Sequence, residues 1–239
     1  MHSRFVYNDQ LLSAPKGRVE AVSLYGRGVF TTLAVYHREP FLWPEHWARL
    51  MEHAARARLG KIEFDEASVR NLLAQLIEAN HVKEGCARVT LTAATEQGIW
   101  KVEGLESRAT DLSIITGDAR PVSEDGLALT VSPYRVNTLS PLAGIKSVNY
   151  LDHILPLEEA RARDFDEAVM LNERGEVVST AIANLFWVTD GTIHTPTLST
   201  GALAGTTRAC VIDLAATRVR QPLSRGIGGR AHGIAAVAA

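Results

Sequence analysis

Leu142-Ala143-Gly144-Ile145-Lys146-Ser147-Val148-Asn149-Tyr150-Leu151 is the stretch on which the reading of this chain turns. It sets a lysine in a mostly apolar run between a loop and the start of a helix. Lysine is scarce elsewhere: Lys16, Lys61, Lys83 and Lys101 are the others in 239 residues, although Lys and Arg together number 25. A desolvated lysine gives up its proton more readily than a solvated one, and a neutral amine can attack an aldehyde to form a Schiff base. Taken alone, the residue reads first as a surface lysine, its stem lying on apolar neighbours and its ammonium in water.

Upstream of this stretch, β-branched and aromatic residues predict strands at 5–7 and 29–36, with a turn at His37-Arg38-Glu39-Pro40. Pro44 suits a first helical position, and Trp47, Leu50, Met51 and Ala54 recur at helical spacing. Asp65 reads as the N-cap of a second helix through Val69, Leu72, Leu73, Leu76 and Ile77, ending near Asn80. Strands are expected again at 87–93, 111–116 and 127–132. Downstream come a helix over 149–163, strands at 167–171, 176–180 and 184–188, a tight turn at Asp190-Gly191 into 192–194, and a helix opening after Gly205.

Turn residues between 113 and 140 suggest a boundary or linker between two lobes there. The expected division is a small N-terminal α+β lobe over 1–117, a cofactor-binding lobe over 118–216 that holds Lys146, and a disordered tail over 217–239. The tail carries Arg218, Arg220, Arg225 and Arg230 among glycines; its arginines could touch nucleic acid but read better as solvated.

Composition excludes several classes. With 25 basic and 27 acidic side chains, a net charge of −2 and 46% hydrophobic residues, the chain has neither the basic excess of an extended nucleic-acid binder nor the polarity of a disordered one. Cys86 and Cys210 have no Cys-x-x-Cys partner, which speaks against a zinc site and a disulfide framework. A cytoplasmic setting without membrane contact is the expectation, since no signal-like or membrane-length apolar run is present.

Five segments then fall in a telling order: Tyr25-Gly26-Arg27-Gly28-Val29-Phe30-Thr31-Thr32, Glu45-His46-Trp47-Ala48-Arg49-Leu50, Gly144 to Asn149, Ala183-Asn184-Leu185-Phe186-Trp187-Val188 with Thr195-Pro196, and Leu203-Ala204-Gly205-Thr206-Thr207-Arg208. The series resembles the class IV (fold-type IV) pyridoxal-phosphate enzymes, among them branched-chain and D-amino-acid aminotransferases and aminodeoxychorismate lyase. The resemblance implies a two-lobed α+β fold with pyridoxal 5′-phosphate in the cleft between lobes, a homodimer and a small-molecule amine substrate. It makes Lys146 the lysine that joins the cofactor aldehyde and later moves the proton.

Arg49 matches the family's phosphate-binding arginine, a role suited to a forked guanidinium, although it also reads as a helix-surface residue. Gly205, Thr206 and Thr207 open a helix whose free N–H groups favour an anion, or simply form its N-cap. Tyr25, Phe30 and Tyr150 are candidates for substrate contact. His46 reads first as a satisfied helix histidine.

The sequence also departs from the family pattern. Ser179 stands where the family usually has a glutamate to hold the cofactor's ring nitrogen protonated. Arg27 replaces an acidic residue, Thr95-Glu96-Gln97-Gly98 replaces an Arg-Gly-rich loop, and Arg-, Ala- and Gly-rich sequence follows the Thr206 helix where further helix and strands are usual. Phe30-Thr31-Thr32, in place of Phe-Glu-Gly, and Pro141-Leu142-Ala143 before Gly144-Ile145-Lys146 look most like aminodeoxychorismate lyase. That resemblance implies conversion of 4-amino-4-deoxychorismate to 4-aminobenzoate and pyruvate, a step towards folate; a D- or branched-chain aminotransferase and a non-catalytic paralogue are the alternatives.

Overall fold

A computed structural model describes residues 4–13, 26–93, 110–119, 125–218 and 233–238. Tyr25 and the loop from Thr95 to Gly98 lie outside them. The chain forms two units, one of Met1–Val122 with Ile145–Asn149, the other of Ser123–Gly144 with Tyr150–Ala239.

The first unit is a six-stranded antiparallel sheet with two helices. Its strands are β1 (Arg4–Tyr7), β2 (Gln10–Ser13), β3 (Gly28–Tyr36), β4 (Glu39–Pro40), β5 (Glu84–Ala93) and β6 (Thr110–Asp118), in the order β2-β1-β6-β5-β3-β4. Period-two alternation sends Ala87, Val89 and Leu91 of β5, and Leu112 and Ile114 of β6, into the core, while the residues between them are half-buried. α1 (Trp43–Arg56) and α2 (Glu66–Ala79) supply Leu50, Ala54, Leu73, Leu76 and Ile77 to that same core. Pro44 lies in the first turn of α1, and the Asp65 carboxylate accepts the Ser68 N–H 2.9 Å away, as both residues led one to expect.

Lys146 belongs to this first unit, which corrects its expected assignment to the second lobe. The segment around it leaves the second unit to lie along β3: Phe30 N–H donates to Lys146 O and Val148 N–H to Gly28 O, each at 3.0 Å, around a Val29–Ser147 bridge. At the other end of the motif Gly26, with φ +58°, receives the Asn149 side chain, whose Nδ2 donates to Gly26 O at 2.8 Å. A Cβ at residue 26 would collide with that side chain, so the glycine is set both by backbone angle and by space.

The second unit holds two three-stranded sheets. In one, β7 (Leu129–Val136) runs parallel to β8 (Glu167–Asn172), which pairs antiparallel with β9 (Val177–Thr180). In the other, β10 (Ala183–Thr189) lies between β11 (Thr192–His194) and β12 (Gly233–Ala238). α3 (Leu151–Arg161) and α4 (Thr206–Arg218) complete it.

Three further expectations are corrected. Residues 113–140 do contain the boundary between the units, after Val122, but they are not an open linker, because they hold most of β6 and all of β7. Glu39 and Pro40, expected within a turn, pair with Tyr36 and Val35 as β4. Gly233–Ala238, expected within a disordered tail, pairs with β10 along its length, a long-range partnership that local composition does not encode.

Candidate functional site

In the first unit the reactive-lysine candidate is enclosed by charge and aromatic surface. Lys146 is 4% exposed and lies opposite Phe30 across the bridge, its Nζ 5.1 Å from the centre of the Phe30 ring. Arg88 of β5 pairs with Thr32, which makes it the diagonal neighbour of Phe30 on the same sheet face, and its guanidinium carbon lies 3.6 Å from that ring centre. Burial first, then the charges of Arg49 and Arg88, lower the Lys146 ammonium from 10.5 to about 7. A substantial share of the amine is therefore neutral, and nucleophilic, near neutral pH.

The opposite face of β3 meets α1. His46, Arg49 and His53 occur at intervals of three and four residues and are all buried. Arg49 Nη2 donates to the Thr31 hydroxyl at 3.0 Å, and that hydroxyl lies 2.6 Å from His46 Nδ1. His53 Nδ1 accepts the backbone N–H of Lys146 at 3.1 Å. Burial is the main cause that lowers His46 from 6.5 to about 3, assisted by Arg49 and Lys146; it lowers His53 to about 4, assisted by Arg49, Arg56 and Lys146. Both imidazoles are neutral at pH 7.

The second unit holds the remaining sequence candidates except Tyr25. Ser179, 8% exposed, pairs with Met170 of β8. Glu167 lies three residues before Met170 and so on the other face; its Oε1 accepts the N–H groups of Ala168 and Ala181, at 3.0 and 3.2 Å. That carboxylate is committed to the backbone and does not share the face of Ser179. Gly205 precedes α4, and a Cβ there would collide with the Asn184 side chain, which donates from Nδ2 to Leu203 O at 2.9 Å. Thr206 is buried and Thr207 half-buried in the first turn, where backbone N–H groups have no intrahelical acceptor. Tyr150 precedes α3 and stacks on His153 at 4.4 Å between centres, while His153 Nδ1 donates to Ala181 O at 2.6 Å.

Lys146, Arg49 and Phe30 are thus carried by the first unit, and Ser179, Gly205, Thr206, Thr207 and Tyr150 by the second. His53 and Arg88 escaped the sequence reading. His53 left a faint signal, standing four residues beyond Arg49 on the face of α1 that already bore His46. Arg88 left none, because its place beside Phe30 follows from cross-strand register. The first unit fits an aldehyde with an attached phosphate: a buried amine lowered to about 7 suits the aldehyde, and a guanidinium on the adjoining helix suits the anion.

Comparison with known proteins bears on this arrangement. A family model described as amino-transferase class IV matches residues 28–224. The chain is 31% identical over 196 residues to an aminodeoxychorismate lyase of Bacillus subtilis, covering 80% of this chain and 65% of that protein. It is 32% identical over 199 residues to a Methanocaldococcus jannaschii protein provisionally assigned as a branched-chain-amino-acid aminotransferase, covering 80% and 66%. It therefore spans about two thirds of the length of these relatives. The crystal structure of a Thermoproteus uzoniensis branched-chain aminotransferase with norvaline superposes with a TM-score of 0.88 at 26% identity, covering 100% of this chain and 84% of that one.

Proposed function

Since the chain belongs to the amino-transferase class IV family of pyridoxal-phosphate enzymes, we propose that it is a lyase converting 4-amino-4-deoxychorismate to 4-aminobenzoate and pyruvate. The observation that carries the choice is Ser179, a hydroxyl where most members of the family place a glutamate. A hydroxyl cannot hold the cofactor's ring nitrogen protonated by charge, so withdrawal of electrons into that ring is weaker. Loss of pyruvate that leaves an aromatic ring carries its own driving force and suffers less. The Phe30-Thr31-Thr32 segment and the likeness to the Bacillus subtilis lyase support the same choice.

The cofactor, when bound, supplies an aldehyde carbon for amines and a ring that accepts an electron pair. Lys146 Nζ is the amine that holds the aldehyde, and once released it takes the proton from the substrate carbon bearing nitrogen. Its lowered pKa keeps it competent for both tasks near neutral pH. Arg49 is the phosphate anchor, a forked donor set suited to that anion. Phe30 covers one side of the amine against water, and Arg88 provides a guanidinium beside it for a substrate carboxylate. His53 fixes the Lys146 backbone from which the amine is projected. The resemblance also carries the proposal of a homodimer.

A second reading, a branched-chain or D-amino-acid aminotransferase, rests on the likeness to the Thermoproteus uzoniensis enzyme and to the Methanocaldococcus jannaschii protein. The two readings separate in one experiment with cofactor-loaded protein. 4-Aminobenzoate and pyruvate should form in equal amounts from 4-amino-4-deoxychorismate, with slower amino transfer from D-alanine or L-leucine to 2-oxoglutarate. Fast amino transfer without 4-aminobenzoate would establish the aminotransferase.

A further inference from the structure

We propose that Thr31 and His46 are positioning residues that set the Arg49 guanidinium for its anion, through a directional chain of donation from guanidinium to hydroxyl to imidazole. The inference rests on the reading of Arg49 as the phosphate anchor and extends it to two side chains that touch no anion themselves.

Thr31 is fully buried on the face of β3 that meets α1, and as a β-branched residue it has few rotamers. Arg49 can only donate, so the hydroxyl accepts from Nη2 at 3.0 Å. Its own proton is then directed to His46 Nδ1, 2.6 Å away. A neutral imidazole with its proton on Nε2 accepts it; burial beside Arg49 and Lys146 keeps His46 neutral. Were Nδ1 to carry a proton, the hydroxyl would have to accept twice, and its own hydrogen would lose this acceptor.

Because His46 and Arg49 sit three residues apart on α1, one helical turn presents both to the same hydroxyl. The sheet residue thus ties one Nη of a long side chain to a fixed point. An arginine so ordered before binding loses less freedom when it meets an anion. A purely structural hydroxyl would be expected to matter for folding and to be indifferent to what the cofactor carries.

The experiment compares pyridoxal phosphate with pyridoxal, which lacks the phosphate, as ligands of the cofactor-free full-length chain, each titrated by absorbance. Thr31→Val should weaken pyridoxal phosphate binding roughly tenfold, while pyridoxal changes by less than about twofold. Thr31→Ser, which keeps the hydroxyl, should restore the difference. His46→Asn, which places an acceptor oxygen where Nδ1 stood, should retain most of it, and His46→Leu should lose it. Should Thr31→Val fail to fold, Thr31→Ala carries the same expectation.

Equal weakening of both ligands, or an unchanged ratio of affinities, overturns the inference if Arg49→Ala still lowers that ratio. An Arg49→Ala chain with an unchanged ratio would overturn the phosphate reading itself, and this inference with it.

Discussion

The two units carry their candidate residues in opposite ways. In the first, long side chains do the work: Lys146, Arg49 and Arg88 bring three cationic groups into a mostly buried setting, and neighbours fix each in place. In the second, Tyr150 apart, the residues are small: Ser179, Gly205, Thr206 and Thr207 leave backbone N–H groups and hydroxyls to act. The contrast teaches that a site can obtain positive potential from formal charge or from the start of a helix. The two routes differ in what a mutation breaks. Removing a side chain from the first unit should remove a function, whereas adding one to the second should disturb packing.

The largest expected effects test that contrast directly. Arg49→Ala should lower affinity for pyridoxal phosphate by about 2–4 kcal/mol, measured by equilibrium dialysis of the purified protein. Gly205→Ala should instead act on the fold, because the new Cβ meets Asn184; a loss of about 1–3 kcal/mol in denaturant-monitored stability is expected. If Arg49→Ala retained its cofactor on dialysis, or Gly205→Ala left stability unchanged, the contrast between the units would fail.

A smaller effect comes from the buried histidines. Both folded values, about 3 and about 4, lie below the unfolded 6.5, so the unfolded chain binds more protons in that window. The stability they preserve is whole above pH 6.5 and is lost as pH falls towards 4 and then 3. His53→Asn keeps an acceptor for Lys146 N–H and removes one titrating group, so its stability should fall less between pH 7 and pH 4.5 than that of the wild type. Parallel curves for the two proteins would remove His53 from the account. His53→Leu should be destabilised already at pH 7, by about 1–3 kcal/mol, because a buried N–H loses its acceptor.

Smallest is the expected gain at Ser179. Ser179→Glu should raise amino transfer from alanine or glutamate a few-fold, read as single-turnover rates, by restoring a carboxylate at that position. Thr180 lies on the other face of β9 and should not substitute for it. Rapid wild-type amino transfer with no gain in the variant would show that the electronic role assigned to residue 179 is wrong.

What could be read in the sequence follows the same division between local and long-range order. α1 and α2 were legible because Pro44, Asp65 and a helical spacing of apolar residues are local signals. Lys146 and Arg49 stood out through residue scarcity and motif order. Three things were hidden: that Lys146 runs along β3, that Arg88 reaches Phe30, and that Gly233–Ala238 closes onto β10. Each depends on pairing between segments distant in sequence, which no single window contains. His53 was hidden for another reason, since a histidine on a buried helix face reads as packing until its partner is known.

Capture of pyridoxal phosphate by the cofactor-free protein over a range of pH, followed by borohydride reduction and peptide mapping, tests the central claim most directly. The label should fall on Lys146, and the initial rate of capture should rise with a midpoint near pH 7, the point to which burial, Arg49 and Arg88 bring its amine. A label on any other lysine, or a midpoint near the ordinary lysine value of 10.5, would contradict it.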